Sequence, residues 1–282
     1  MFSTVEQSKL SSTAPSPLVP AVELVGVSKT FVTQRSKGLR RAPIKTKVAL
    51  HELSLTIDAG GVTDVVGVNG SGKSTLIRIL STLLTPDTGH AKVFGLDVEQ
   101  ETPAVRRLIN RVSVEASFFK ELSPWENLSF SARLYNCADG LRERVEAAVA
   151  DLNLSASVLD RPLKQLSRGQ QQKVAIVRSL LSEPSLLLMD EPTTGLDPHS
   201  KRDVQRIVRT LHASGEVTVL LCTHDLGEAE ALCDRILILH DGHLIADSTP
   251  QQLRDLHGGV SLEDAFLLAT GTDINNDRED SA

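Results

Sequence analysis

The feature that most constrains the fold is a glycine-rich segment, GVNGSGKST, at positions 67–75. A short apolar run, VTDVV, precedes it, and STLIRILSTLL, with apolar residues at helical spacing, follows it. The segment fits the pattern G-x-x-x-x-G-K-[ST], in which backbone N–H groups and a helix N-terminus converge on phosphates. The sequence therefore predicts a strand, a phosphate-binding loop (P-loop) and a helix.

Two side chains of this loop suit nucleotide chemistry directly. Lys73 can reach the terminal phosphates, and the Ser74 hydroxyl suits a place beside Mg²⁺. A chance glycine-rich turn is the alternative, but the strand before the loop and the helix after it favour a phosphate site. The candidate nucleotide-binding residues here are Gly67, Asn69, Gly70, Ser71, Gly72, Lys73, Ser74 and Thr75.

Three further polar side chains follow apolar runs. Asp190 and Glu191 end SLLLMDE, and His224 ends VTVLLCTH. Because the carboxyl ends of parallel strands meet at one edge of a sheet, we expect these residues beside the P-loop. Asp190 suits holding Mg²⁺ through water, Glu191 suits orienting or deprotonating a water, and His224 could reach the γ-phosphate.

A second candidate phosphate site lies in LSRGQQQK, positions 166–173. Ser167 and Gln170 form an S-x-x-Q capping box, so this motif could merely begin a helix. Gly169, however, costs about 1 kcal/mol against alanine in a helix, which favours a backbone that must lie close to something. Phosphate at the helix N-terminus is the candidate.

The element order predicts an α/β fold with a mostly parallel sheet flanked by helices. A small antiparallel β part is expected near the N-terminus, and a helical subdomain is expected at about 97–165. The basic segment 33–47 is interpreted as a solvated loop, with a lipid or partner contact as the alternative. The predicted domains are a disordered tail (1–20), a P-loop domain (21–258), and a C-terminal helix with an acidic tail (259–282).

Composition narrows the class of protein. The formal charge of −6 argues against a general nucleic-acid binder, so no nucleic-acid partner is expected. The three cysteines show no metal-ligand spacing, which favours a reducing compartment. No apolar run reaches the roughly 18–20 residues of a membrane span, and the N-terminus does not resemble a secretory signal. We therefore expect a cytosolic chain whose membrane role, if any, comes through a partner.

The ordered set GVNGSGKST, LSRGQ, LLLMDE, GLD (195–197) and TH (223–224) resembles the nucleotide-binding domain of ABC transporters over about residues 21–250. The resemblance implies an ATPase that uses ATP and Mg²⁺ in a head-to-tail dimer, as a homodimer or a heterodimer. Ser167, Gly169 and Gln170 would then bind the γ-phosphate held by the second subunit, and Asp197 would link the two sites. Phe31 occupies the position of the family's adenine-stacking ring.

The resemblance also implies a partner and a location. The chain would be cytoplasmic and peripheral on the inner face of the cell membrane, bound to a separate permease with transmembrane helices. The C-terminal stretch GVSLEDAFLLATG resembles the tail of ABC-2 type exporter ATPases, which favours export over uptake. The alternative is a soluble ABC-type mechanoenzyme acting on DNA or ribosomes, and a partner-bound regulatory module with weak hydrolysis also stays open.

Two positions depart from the family pattern. The glutamine that usually precedes the helical subdomain and touches Mg²⁺ is missing from RVSVEASFFKELSPWENL, and Glu115 is the nearest polar candidate for that role. Asp64 replaces a small residue in the strand before the P-loop. A buried unpaired carboxylate is costly, so Asp64 should have a partner or a raised pKa.

Overall fold

The computed structural model describes residues 19–34, 45–114 and 117–271. Three expectations therefore fall wholly or largely outside the described residues: the N-terminal tail, the metal role of Glu115, and the acidic tail beyond residue 271. The basic segment is described only at its two ends. Lys45, Thr46 and Lys47 already belong to a strand, so the loop is shorter than expected.

Six strands form the central sheet, in the order β10-β9-β3-β8-β7-β6. The five strands from β9 to β6 pair in parallel, and β10 pairs antiparallel to β9. This arrangement confirms the mostly parallel sheet. The strands are β3 (Val62–Val66), β6 (Ile109–Val112), β7 (Leu186–Asp190), β8 (Thr218–Thr223), β9 (Arg235–His240) and β10 (His243–Ser248).

Four strands form a second sheet in which every pairing is antiparallel, in the order β2-β1-β4-β5. It is the antiparallel part expected near the N-terminus. Its long hairpin, β1 with β2, places Phe31 opposite Lys47. The strands are β1 (Val22–Gln34), β2 (Lys45–Ile57), β4 (Thr88–Val93) and β5 (Leu96–Asp97).

Helices cover both faces of the central sheet. The expected helical subdomain, about 97–165, also contains β6, an edge strand of this sheet, so this segment is not helical throughout. The helices are α1 (Lys73–Leu80), α2 (Thr102–Leu108), α3 (Pro124–Leu134), α4 (Leu141–Asp151), α5 (Arg168–Leu180), α6 (Pro198–Ser214), α7 (Leu226–Leu232), α8 (Pro250–Leu256) and α9 (Leu262–Thr270), with short 3₁₀ turns at Ala156–Asp160 and Leu163–Gln165.

Alternating side chains of the central strands supply two cores. Along β7, Leu186 and Leu188 pack with α1 and the antiparallel sheet, whereas Leu187 and Met189 pack with α3–α6. The period of two residues explains why the strand is apolar throughout, since both of its faces are covered. A third cluster joins α7, α8 and α9 to the sheet, and Phe266 of α9 is fully buried in it.

The strands position the candidate site. The segments that follow β3, β7 and β8 carry Gly67, Glu191 and His224, and all three strands run parallel, so these residues leave the sheet at the same edge. In the described part of the chain, none of the helices combines the length and the apolar character needed to cross a bilayer.

Candidate active site

The P-loop is shaped by close backbone packing. Gly72 has a φ of +114°, and a Cβ there would lie 2.5 Å from the carbonyl oxygen of Ala49. No other residue fits that space without moving β2. The loop then enters α1, whose first residue is Lys73.

Lys73 is folded onto the loop that precedes it. Its Nζ donates to the carbonyl oxygens of Gly67, at 2.5 Å, and Val68, at 3.1 Å. Nζ also lies 3.9 Å from Glu191 Oε1. Since the side chain is only 6 % exposed, this ammonium group is a preorganised cation at the base of the loop.

Ser74 and Asp190 meet as the sequence predicts. Ser74 Oγ donates to Asp190 Oδ1 at 3.1 Å. A hydroxyl and a carboxylate side by side fit Mg²⁺, which proteins usually hold through one or two carboxylates together with phosphates and waters. The described residues contain no group of three or more His, Cys, Asp or Glu side chains that could hold a metal ion.

Glu191 adopts a strained backbone, with a φ of +50°. Its Oε2 accepts hydrogen bonds from Thr194 Oγ1 and from the His224 ring, each at 2.7 Å. Oε1 is buried and has no hydrogen-bond partner among the described residues. One oxygen is therefore fixed by the protein while the other stays available to a water or a ligand.

The hydrogen bond between Glu191 and His224 affects the charge states of both side chains. Burial alone would raise the pKa of Glu191, but the hydrogen bonds from His224 and Thr194 and the charge of Lys73 bring it below its ordinary value. The hydrogen bond to Glu191 raises the pKa of His224 despite partial burial. The geometry thus favours an ionised carboxylate against a protonated imidazole.

One cavity contains most of the predicted nucleotide-binding residues. Phe31 of β1 lines it together with residues of the P-loop, and its contact with adenine stays a prediction. Lys47 also lines it, and its Nζ lies 3.2 Å from the place that a Cβ on Gly70 would take. Sequence reasoning missed Lys47, although its spacing from Ala49 puts both on one face of β2. The lining residues are Phe31, Lys47, Ala49, Asn69, Gly70, Gly72, Lys73, Ser74, Thr75 and Glu191.

The second candidate phosphate site lies apart from this cavity. Ser167 and Gln170 form the predicted capping box, each side chain accepting a hydrogen bond from the other's backbone N–H. Gly169 is buried against α6, where a Cβ would overlap Ser200. The close backbone contact that Gly169 predicts is therefore a contact with α6 of the same chain. Asp197 caps α6, accepting from the backbone N–H groups of His199 and Ser200 at 3.0 Å.

Two further residues bear on the departures from the family pattern. Arg111 of β6 donates to Asp190 Oδ2 at 2.9 Å, a contact that no sequence motif indicated. Asp64 is fully buried, and neither of its carboxyl oxygens has a hydrogen-bond partner among the described residues. Burial, reinforced by the carboxyl groups of Glu228 and Glu191, raises the pKa of Asp64 well above its ordinary value, as expected.

The sequence profile of one protein family, described as ABC transporter, matches residues 50–194. That span covers more than half of the chain and includes the P-loop, the LSRGQ motif, Asp190 and Glu191. The chain belongs to the ABC transporter family. It is an ATP-binding subunit of this family, and its P-loop fold is that of an ABC-type ATPase.

Relatives of the ABC protein include ATPases of export and resistance systems. It is 43% identical over 249 residues to the daunorubicin/doxorubicin resistance ATP-binding protein DrrA of Streptomyces peucetius, an alignment covering 83% of this chain and 74% of that protein. It is 33% identical to the Nod factor export ATP-binding protein I of Bradyrhizobium diazoefficiens, with 92% and 79% covered. These relatives confirm the predicted resemblance to exporter ATPases.

Solved structures agree. An ATP-binding subunit of an ABC transporter superposes with a TM-score of 0.76 at 27% identity, covering 88% of this chain and 99% of that one. An ATP-binding cassette solved as a dimer in a post-hydrolysis state with ADP and Pi gives a TM-score of 0.70 at 27% identity, covering 81% and 98%. These likenesses favour the transporter ATPase over the soluble mechanoenzyme that the sequence left open.

Proposed function

We propose that this chain binds Mg-ATP at the P-loop, hydrolyses it in a head-to-tail dimer, and thereby drives a separate membrane permease for export. The observation that carries the proposal is the meeting of Lys73, the Ser74–Asp190 pair and the Glu191–His224 pair at one edge of the sheet. These are the groups that phosphoryl transfer to water requires: a cation for the phosphates, a metal position and a base.

Each residue has a defined task. Lys73 exchanges its loop carbonyls for the terminal phosphates. Ser74 and Asp190 would hold Mg²⁺, which would supply positive charge beside the phosphates. Glu191 uses its free Oε1 to take a proton from the attacking water, while His224 keeps Oε2 in place. Phe31 stacks on the adenine, and Lys47 adds a second cation beside the loop.

A head-to-tail dimer accounts for the second candidate phosphate site, at the LSRGQ motif. Ser167, Gly169 and Gln170 are not among the described residues that line the chain's own cavity. A neighbouring structure is a dimeric cassette, which supports an arrangement in which these residues close the site of the second subunit. Asp197, at the start of α6 beside Gly169, then lies between the two sites.

Mixing two defective chains tests this arrangement. Lys73→Ala disables the P-loop side of a site, and Ser167→Arg disables the opposite side. In a head-to-tail dimer a mixed pair has one site with both defects and one intact site, so mixing should restore ATP hydrolysis. If each chain instead used its own LSRGQ motif, both sites of the mixed pair would be defective and no activity would return.

The permease contact is proposed on the surface of the helical segment. Phe119, Phe130, Leu134 and Tyr135 expose between 46% and 68% of their area, and the Phe119 and Phe130 rings meet edge to face at 5.6 Å. Exposed apolar patches of this kind mark interaction sites. A permease docked there would hold the chain at the cytoplasmic face of the membrane, and the exporter relatives favour outward transport.

Affinity purification from gently solubilised membranes tests the partner. The tagged chain should bring down a multi-spanning permease, and Phe130→Ser with Leu134→Ser should lose it while still binding ATP. Recovery with ribosomal or DNA-repair proteins alone would contradict the transporter function. Binding of the permease by the double variant at wild-type level would contradict only the assigned surface.

A further inference from the structure

Arg111 is an unexpected cation at the proposed metal position. It lies on the edge strand β6, paired in parallel with β7, and its Nη2 donates to Asp190 Oδ2 at 2.9 Å. The two side chains are 24% and 6% exposed, so the ion pair is largely withdrawn from water. In such an environment the attraction between opposite charges is several times stronger than in bulk water.

Both oxygens of the Asp190 carboxylate have a protein partner as a result. Oδ1 accepts from Ser74 and Oδ2 accepts from Arg111. Both candidate metal-holding side chains are therefore bonded to each other, and the negative charge of Asp190 is already balanced by a protein cation. A divalent ion that takes this carboxylate must share it with the guanidinium or displace it.

The other charged groups of the site also favour Arg111 as the partner of Asp190. Lys73 is paired with Glu191, with 3.9 Å between Nζ and Oε1, and no ion pair joins Lys73 to Asp190 among the described residues. Arg111 thus supplies the cation that faces Asp190. Its Nε is buried without a hydrogen-bond partner in the part of the chain that the structure describes, so the guanidinium is held mainly by this carboxylate.

We propose that Arg111 is the resident counter-cation of Asp190 and that Mg²⁺ competes with it for this carboxylate. Arg111 therefore limits how much Mg²⁺ strengthens ATP binding. The inference rests on the proposed Mg-ATP site. Arg111 acts through Asp190, which makes it a positioning residue.

The measurement is the Mg²⁺ enhancement, defined as the Kd for ATP in EDTA divided by the Kd for ATP with saturating Mg²⁺. Both constants come from calorimetric titration of the purified full-length chain, with a non-hydrolysable ATP analogue in place of ATP so that no turnover occurs. Arg111→Gln should raise the enhancement by about tenfold or more, the scale of one partly buried charge interaction. Without the guanidinium, the negative charge of Asp190 is not balanced and repels metal-free ATP. Mg²⁺ then has no competitor for the carboxylate.

Two more variants separate this role from mere packing. Arg111→Lys keeps the charge and loses the planar fork, so it should raise the enhancement by a smaller factor. In an Asp190→Asn background, Arg111→Gln should leave the enhancement unchanged, since the carboxylate for which the two cations compete is gone. Arg106→Gln is the matched control, because this arginine of α2 bonds Thr82 on the surface instead.

The outcomes are distinct. If ATP binding by the wild-type chain does not respond to Mg²⁺, the proposed Mg-ATP site itself fails. If the wild type responds and a folded Arg111→Gln variant shows the same enhancement, the competition is refuted and the Mg-ATP site stands. Should Arg111→Gln not fold, Arg111→Lys decides, and an enhancement equal to that of the wild type overturns the proposal.

Discussion

Glu191 and His224 share a hydrogen bond of 2.7 Å between Oε2 and Nδ1, although 33 residues separate them along the chain. They follow β7 and β8, which are neighbours in the sheet. The pair leaves Glu191 Oε1 buried and without a hydrogen-bond partner among the described residues, 3.9 Å from Lys73 Nζ. A carboxylate, an ammonium group and an imidazole thus meet where the phosphates are expected.

Glu191→Gln should lower ATP turnover by roughly 10²–10⁴, because an amide cannot take the proton of the attacking water. ATP binding should persist, so the variant should accumulate as an ATP-bound dimer, measured by size-exclusion chromatography beside steady-state hydrolysis. Glu183→Gln is the control, since Glu183 is exposed and has the same φ of +50°. Near-normal hydrolysis by Glu191→Gln would remove this residue from its role.

The pKa of His224 should fall toward its ordinary value in Glu191→Gln. In the folded wild type the carboxylate favours the imidazolium, which raises that pKa. The stability gained from the pair is fully present below the ordinary pKa of 6.5 and is lost as pH rises through the raised value. Titration of the His224 ring by NMR measures the shift, and an unchanged titration would show that Glu191 does not set it.

Gly169→Ala should destabilise the fold by about 1–3 kcal/mol, because the new Cβ overlaps Ser200 at the contact between α5 and α6. Adding Ser200→Gly should recover part of that loss, measured by chemical denaturation. Gly227→Ala serves as the control, since a Cβ there meets only an ordinary contact at 3.4 Å. Equal stability of Gly169→Ala and the wild type would mean that the close approach is not rigid.

Asp64→Asn should become more stable relative to the wild type as pH rises from 5 to 8. Burial raises the pKa of Asp64, so the folded chain keeps its proton while the unfolded chain loses it above about pH 4. The wild type therefore loses up to about 1.4 kcal/mol per pH unit through this group until its raised pKa is reached. Denaturation curves at both pH values measure the trend, with Asp58→Asn as the exposed control.

Asp64→Ala should leave ATP binding intact, because Asp64 is fully buried and does not line the nucleotide cavity. Calorimetric titration with ATP measures this. Loss of nucleotide binding by a variant that is still folded would show instead that Asp64 shapes the P-loop.

Phe31→Ala should weaken ATP binding by about 1–3 kcal/mol, the range of base–aromatic stacking, whereas Phe31→Tyr should retain affinity. Fluorescence titration with an ATP analogue measures both. Phe130→Ala is the matched control, since this phenylalanine is exposed on α3 and does not line the cavity. The same affinity in Phe31→Ala and the wild type would place the adenine elsewhere.

The sequence by itself determined the local elements and the chemistry at their ends. The P-loop, the capping box at Ser167, and the polar residues that follow β7 and β8 were predictable, because each depends on neighbours within a few positions. Parallel strands then required those polar ends to share one edge, which located Lys73, Asp190 and Glu191 together.

Only the tertiary structure decided which distant groups touch. Arg111 and Asp190 are 79 positions apart, and their ion pair depends on the pairing of β6 with β7. The approach of Gly169 to Ser200 depends on how α5 meets α6, and the place of Lys47 beside Gly70 depends on the path of β2. These contacts arise from the packing of separate elements, which no short-range pattern in the sequence predicts. They add partners to the site that the motifs predict.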